Sequence, residues 1–168
     1  MFANAVTLML FPALMAFAAC SDLLTMTISN RLSIVLIAGF FVMAFVVGMS
    51  PMAITMHIGA AAAVLVVAFV FFAQGWIGGG DAKLAAATAL WLGFDHLPAY
   101  LIYASLFGGL LTFVLLQVRT MPLPSLLTGQ QWAERLHRKD SGVPYGIALA
   151  AAALTVYPDT IWMRALAG

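Results

Sequence analysis

The chain has 168 residues, 64% of them hydrophobic and only 8% charged, against roughly 25% charged residues in an average soluble domain. Its mean hydropathy of +1.07 excludes an ordinary soluble domain and reads as an all-α integral membrane protein; its net charge of +1 says little, because charge placement along the loops matters more than the sum. A single cysteine, Cys20, excludes an intrachain disulfide framework and a CxxC zinc module.

A membrane span needs about 20 apolar residues at about 1.5 Å rise each. On that ruler the chain predicts six transmembrane segments in one polytopic domain covering residues 1–168. The first, Phe2 to Ser21, has no Lys or Arg ahead of it, so it lacks the basic start of a secretory signal peptide and is expected to stay as a helix; "FAAC" before Ser21 is not read as a lipoprotein cleavage site. The second runs from Leu32 to Gly48, capped by Ser29 and Asn30, and the third from Met52 to Ala73, opened by "GMSP" with Pro51. The fourth, Gly78 to Phe94, is short: Ala82 to Phe94 gives roughly 20 Å against a hydrocarbon core of about 30 Å, so either its glycines enter the membrane or the bilayer thins there. "FDHLP" with Pro98 opens the fifth, Leu97 to Val118, and "SGVP" with Pro144 opens the sixth, Val143 to Tyr157.

The basic residues give the orientation. With the amino terminus outside, Arg31, Lys83, Arg119, Arg135, Arg138 and Lys139 all lie inside, leaving only Arg164 of the seven Lys and Arg residues outside. The same topology puts Asp22, just after the first helix, and Asp81, at the head of the fourth, on the cytoplasmic face. The inner-face loop 119–142 is the one long polar segment; Leu126, Leu127, Trp132 and Leu136 are expected on the bilayer surface, with the loop's basic residues facing lipid phosphates.

An ionisable residue at membrane depth costs a few kcal/mol unless it is paired or hydrated, which makes both aspartates functional candidates. Asp22 falls near the carboxyl end of a helix, where the macrodipole disfavours an anion by roughly 0.3 to 1 kcal/mol; its plainer reading is a boundary residue where helix meets water. The plainer reading of Asp81 is a helix N-cap. Together they say more, because two carboxylates within a few ångströms cannot both ionise easily and so hold a shared proton. The ionised member can activate a water while the protonated one polarises a peptide carbonyl, which is aspartic-protease chemistry. Gly78, Gly79 and Gly80 suit it, since backbone without Cβ atoms admits an extended substrate; a flexible connector is the plainer alternative.

Other chemistries find no support. There is no GxxxxGK[ST], HExxH or GxSxG, and His57, His96 and His137 do not converge, so they read as satisfied or solvated histidines. Lys83 is expected to snorkel to phosphates, and Asp95, Asp140, Glu134 and Asp159 to be loop residues. Tyr145, in "VPYG", starts a helix on the aspartates' face and also suits an interfacial aromatic belt.

Three stretches resemble the motifs of the type IV prepilin peptidases, in family order. "SDLLTMTISNRL" is similar to the first, an aspartate at the end of a transmembrane helix followed by an Ile-Pro-Asn element. "GGGDAKL" resembles the GxGD motif with its lysine, and "GVPYGIALA" the carboxyl-terminal signature. The resemblance implies a multi-pass protein of the bacterial cytoplasmic (inner) membrane that removes the short basic leader of a prepilin substrate. It implies Asp22 and Asp81 as the catalytic pair, supported by Gly78, Gly79, Gly80, Lys83, Asn30, Pro144 and Tyr145. It implies no metal, no cofactor and no nucleic-acid partner, with membrane lipids and the pilus assembly machinery as surroundings. Ser29 stands where the larger enzymes carry proline. The larger enzymes also hold a cytoplasmic insertion with paired cysteines and methylate the new amino terminus; this chain has neither insertion nor cysteine pair, so cleavage without methylation is expected, as in the small branch serving Flp, or tight-adherence, pili. A net-basic inner loop should repel a basic leader unless lipid headgroups take up its charge.

Rival readings remain open at this point. A proton-coupled transporter also uses buried acids and broken helices, and would show proton-dependent flux in liposomes. A non-enzymatic assembly factor would tolerate asparagine at both positions. A signal-peptide-peptidase-like GxGD protease would carry Pro-Ala-Leu where this chain reads "VPYG".

Overall fold

The computed structural model describes residues 2–163, with side chains from residue 9 onward, so Arg164, assigned to the outer side above, lies outside the described residues. The described residues form six α-helices and no strand: α1 (Phe2–Thr25), α2 (Asn30–Val46), α3 (Pro51–Ala73), α4 (Gly79–Val118), α5 (Gln131–His137) and α6 (Tyr145–Val156), with single 3₁₀ turns at Ser125–Leu127 and Tyr157–Asp159. The apolar periodicity behind these helices is weak because most face outward onto an apolar surroundings. On α3 the buried residues are Ala60, Val64 and Ala68, one small-residue seam at intervals of four that packs against α4, while Phe69, Val70, Phe71 and Phe72 are exposed. Two helices, Pro51–Ala73 and Gly79–Val118, are long and apolar enough to cross a membrane, and Met9–Thr25 and Asn30–Val46 are shorter apolar helices.

The caps form as their residue types dictate. The Ser29 hydroxyl accepts the Leu32 amide at 3.3 Å to open α2, and Ser50 accepts the Ala53 amide at 3.2 Å with Pro51 at the first helical position of α3. The first helix runs one turn further than expected, to Thr25, so Asp22 sits within its last turn. Met26 then turns the chain at φ 52°, a left-handed conformation that is uncommon without glycine. Ser21 donates to the Thr27 carbonyl at 3.0 Å and Thr25 to the Ser21 carbonyl at 2.7 Å, folding the loop back on the helix end.

The expected boundary between the fourth and fifth segments is also corrected. The chain breaks at Gly93, whose φ of +67° and ψ of 179° are non-helical, and helix resumes at once, so Asp95 and His96 are helical and Pro98 lies inside α4 rather than opening it. One glycine does the work expected of a loop, because only a residue without Cβ can reverse the chain so tightly here. Residues 79–92 then form a short helix of about 21 Å that is buried nearly all round from Ala86 to Leu92. Being wrapped by the other helices, it has no lipid face whose length must match a bilayer.

The far end of this central helix stops in an aromatic cluster. Trp91 and Trp162 pack with ring centroids 5.0 Å apart, Phe11 lies 5.1 Å from Trp91 and 4.7 Å from Tyr157, and Phe40 lies 5.6 Å from Trp162. Carbonyls freed by the break find donors there: His57 Nδ1 lies 2.7 Å from the Leu90 oxygen and Trp162 Nε1 donates to the Trp91 oxygen at 2.7 Å. A carbonyl only accepts, so Nδ1 of His57 carries the proton, and the histidine is a satisfied one as expected.

A Cβ at Gly93 would lie 2.9 Å from two atoms of the His57 ring, on a backbone conformation that already costs an ordinary residue roughly 1–2 kcal/mol. Gly93→Ala should therefore lower the melting temperature in detergent by more than Gly48→Ala, where φ is +68° but nothing lies within 4 Å. Equal losses in the two variants would show that His57 yields and that only the backbone conformation matters.

Candidate active site

At the opposite end of the central helix, a cavity of about 760 Å³ opens between four parts of the chain. Asp22 and Met26 come from the end of α1, Gly75 to Gly78 from the connection after α3, Asp81 and Thr112 from the two arms of α4, and Gly142, Val143 and Tyr145 from the segment leading into α6. The two aspartates singled out from the sequence thus face one space.

Asp22 is 5% exposed, and its Oδ2 accepts the Gly146 backbone N–H at 2.7 Å. Gly146 belongs to the first turn of α6, so the carboxylate that suffers the negative end of its own helix rests on the positive end of another. The approach is tight: a Cβ on Gly146 would lie 2.8 Å from Asp22 Oδ2 and 2.8 Å from Ile28 Cδ1. Sequence reasoning named Pro144 and Tyr145 and passed over Gly146, whose signal is a glycine placed just inside a helix start, where it serves neither turn nor propensity.

Asp81 is the third residue of α4 rather than its N-cap, which is Gly78. Its carboxylate turns back over that glycine, with Oδ2 only 3.1 Å from where a Gly78 Cβ would stand, in the manner of a capping-box acid. The three glycines have separate surroundings. Gly78 lines the cavity, while Gly79 faces the Phe72 ring and Gly80 faces Ile28, whose Cβ would be 3.2 Å from an added methyl. Gly80 therefore lets the start of α4 seat against the loop after α1, drawing the two aspartate-bearing segments together.

Lys83 and Asn30 meet each other, not the cavity: Lys83 Nζ donates to Asn30 Oδ1 at 2.8 Å. That bond ties the first motif to the second across 53 residues and gives Lys83 a partner in the chain besides any phosphate. Pro144 is fully buried at the N-cap of α6. Tyr145 lines the cavity, and its hydroxyl donates to the Ala104 carbonyl at 3.2 Å, so it is a wall of the site rather than a belt residue at a lipid interface. Its ring crosses Gly108, where a Cβ would overlap the phenol.

The 119–144 segment differs most from expectation. Leu126 projects freely, 90% exposed, but Leu127, Trp132 and Leu136 gather with Leu115 and Val118 of α4. Its cations are largely engaged with the chain. Arg119 is buried, with Nε donating to the Leu136 carbonyl at 2.9 Å and an amino group donating to Ser141 Oγ at 3.0 Å and the Gly142 carbonyl at 2.7 Å. Arg135 caps the end of α1 by donating to the Leu24 carbonyl at 3.0 Å, and Arg138 lies 3.7 Å from Asp140. Glu134, expected in a loop, is in α5 and accepts the Gly129 amide at 2.8 Å. The segment is a strap that holds α1 and the cavity wall at Gly142 in register. Among the described residues no three His, Cys, Asp or Glu side chains group as metal ligands.

These contacts set a stability test. Gly146→Ala and Gly108→Ala should each cost about 1–3 kcal/mol by overpacking, read as a fall in melting temperature in detergent. Gly109→Ala, next in the chain and facing open space, should leave it unchanged or slightly raised, since alanine is the better helix former. Tolerance of alanine at Gly146 would mean that the Asp22 contact is loose.

No curated protein and no solved structure matches the chain. A family model does match, over residues 9–113, more than half of the chain and including most of α1, all of α2 and α3, both aspartates and most of α4. That match, on a helical membrane protein whose two motif aspartates share a cavity, makes the chain a member of the type IV leader peptidase family.

Proposed function

We propose that this peptidase cleaves by an aspartate dyad, Asp22 and Asp81, removing the leader of Flp-type prepilins without methylating the new amino terminus. The observation that carries the reading is that the two carboxylates, far apart in sequence, face one cavity large enough for water and an extended peptide. Between them they hold one proton. The ionised carboxylate takes a proton from water as the water oxygen attacks the scissile carbonyl, and the protonated carboxyl gives its proton to the carbonyl oxygen. Collapse of the tetrahedral diol returns a proton to the leaving nitrogen, and the C–N bond breaks. Gly146 N–H holds Asp22 in position, and Gly78 leaves room beside Asp81.

The topology proposed with it has six membrane-spanning segments, counting the arms of α4 on either side of Gly93 separately, with the amino terminus outside in the bacterial inner membrane. Six of the seven Lys and Arg residues gather at the end of the bundle that bears the aspartates, which supports a cytoplasmic site. Of the loop's cations, Arg138 has a carboxylate beside it, Asp140 at 3.7 Å, which offsets part of the repulsion of a basic leader. Beyond the scissile bond, the cavity shares Ile77 with an apolar groove between α3 and α4 lined by Val67, Phe71 and Leu97, which suits an apolar stretch of substrate. The absence of a cysteine pair supports cleavage alone.

The test is leader removal from a Flp-type prepilin by the purified protein in detergent. Asp22→Asn and Asp81→Asn should each reduce the rate on the order of 10³-fold or more while the protein still inserts and folds. Retained cleavage in either folded variant would refute the dyad, and mass spectrometry of the product should show an unmodified amino terminus.

A further inference from the structure

The aspartate-bearing end of the bundle has a second concave surface, on the side of α1 and α2. It encloses about 750 Å³, with Leu14 and Phe17 of α1 and Leu32 and Val35 of α2 as walls, and Ser29, Asn30 and Arg31 at its head. None of these residues lines the cavity of Asp22 and Asp81, so the groove is separate from the site.

Its charge is one-sided. Arg31 is exposed and, among the described residues, has no carboxylate within ion-pair distance; neither has Lys83, whose ammonium is drawn to the same corner by Asn30 Oδ1 at 2.8 Å. The amino end of α2 adds the positive end of its dipole. Two uncompensated cations above an apolar wall, at a membrane boundary, complement a molecule with an anionic head and a hydrocarbon tail. A basic peptide leader would be repelled there. The guanidinium fork suits phosphate, and the flexible lysine adds a second point charge.

We propose that this groove binds an anionic phospholipid, with an acyl chain along Leu14, Phe17, Leu32 and Val35 and its phosphate on Arg31 and Lys83. The bound lipid brackets the turn from α1 into α2, in which Ile28 leans on Gly80, and so steadies the joint between the two aspartate-bearing segments.

Native mass spectrometry of the full chain in detergent tests this, titrating phosphatidylglycerol against phosphatidylcholine of the same acyl length. The wild type should retain phosphatidylglycerol at least about tenfold better. Arg31→Gln should bring retention near the phosphatidylcholine level, and Arg138→Gln, which removes a cation elsewhere, should not. Val35→Phe, narrowing an exposed part of the wall without changing charge, should also weaken retention and serves if Arg31→Gln folds poorly. No headgroup preference in the wild type, or undiminished preference in folded Arg31→Gln and Val35→Phe, would overturn the proposal. So would displacement of the lipid by millimolar inorganic phosphate, which would point to a free-anion site, or by a prepilin peptide, which would make the groove a substrate path. The readout is lipid binding, so loss of leader cleavage in the aspartate variants does not bear on it.

Discussion

A carboxylate in an apolar bundle must be satisfied by something, and for Asp22 that partner is the amide of Gly146, 124 residues further along the chain. The bond sets much of the architecture around it. It requires α6 to begin against the end of α1, it requires glycine at position 146, and it places Tyr145, one residue earlier, across the cavity with its ring over Gly108. The strap from Arg119 to Ser141 holds the segment leading into α6 from the other side, and Arg135 secures the end of α1. Asp81 is fixed by a different and more local device, its place in the first turn of α4, so the two acids are held independently, and Gly80 lets their segments touch.

The helices were largely legible because each rests on local chemistry: long apolar runs, serine caps and proline starts. The aspartates were legible because charge is rare in such a chain. What escaped depended on contacts between distant residues. Asn30 and Lys83 were each named, yet nothing in either stretch shows that one holds the other. "GG" at 108 and 109 looks symmetrical in sequence, but only Gly108 is pressed by a tyrosine from another helix. Arg119 and Arg135 read as surface charge because a sequence shows a cation but not the carbonyl it bonds.

The central helix answers the puzzle of the short fourth segment. Its length fell below a bilayer's thickness because it is enclosed by protein, and its free carbonyls are met by His57 and Trp162 within the aromatic cluster. His57 and Trp162 at that depth serve the backbone, whereas Asp22 and Asp81 at the other end face a cavity.

The Gly146 bond also bears on how the protein comes into being. Ribosomes deliver α1 before α6, so Asp22 is made well before the amide that donates to it. Until α6 arrives, Asp22 has only water or lipid headgroups to satisfy it, and the wall made by Gly142, Val143 and Tyr145 is missing. A chain made only as far as α4 therefore carries both acids without that wall. The wall of the cavity is thus completed only when α6 emerges, after both acid-bearing segments have been made.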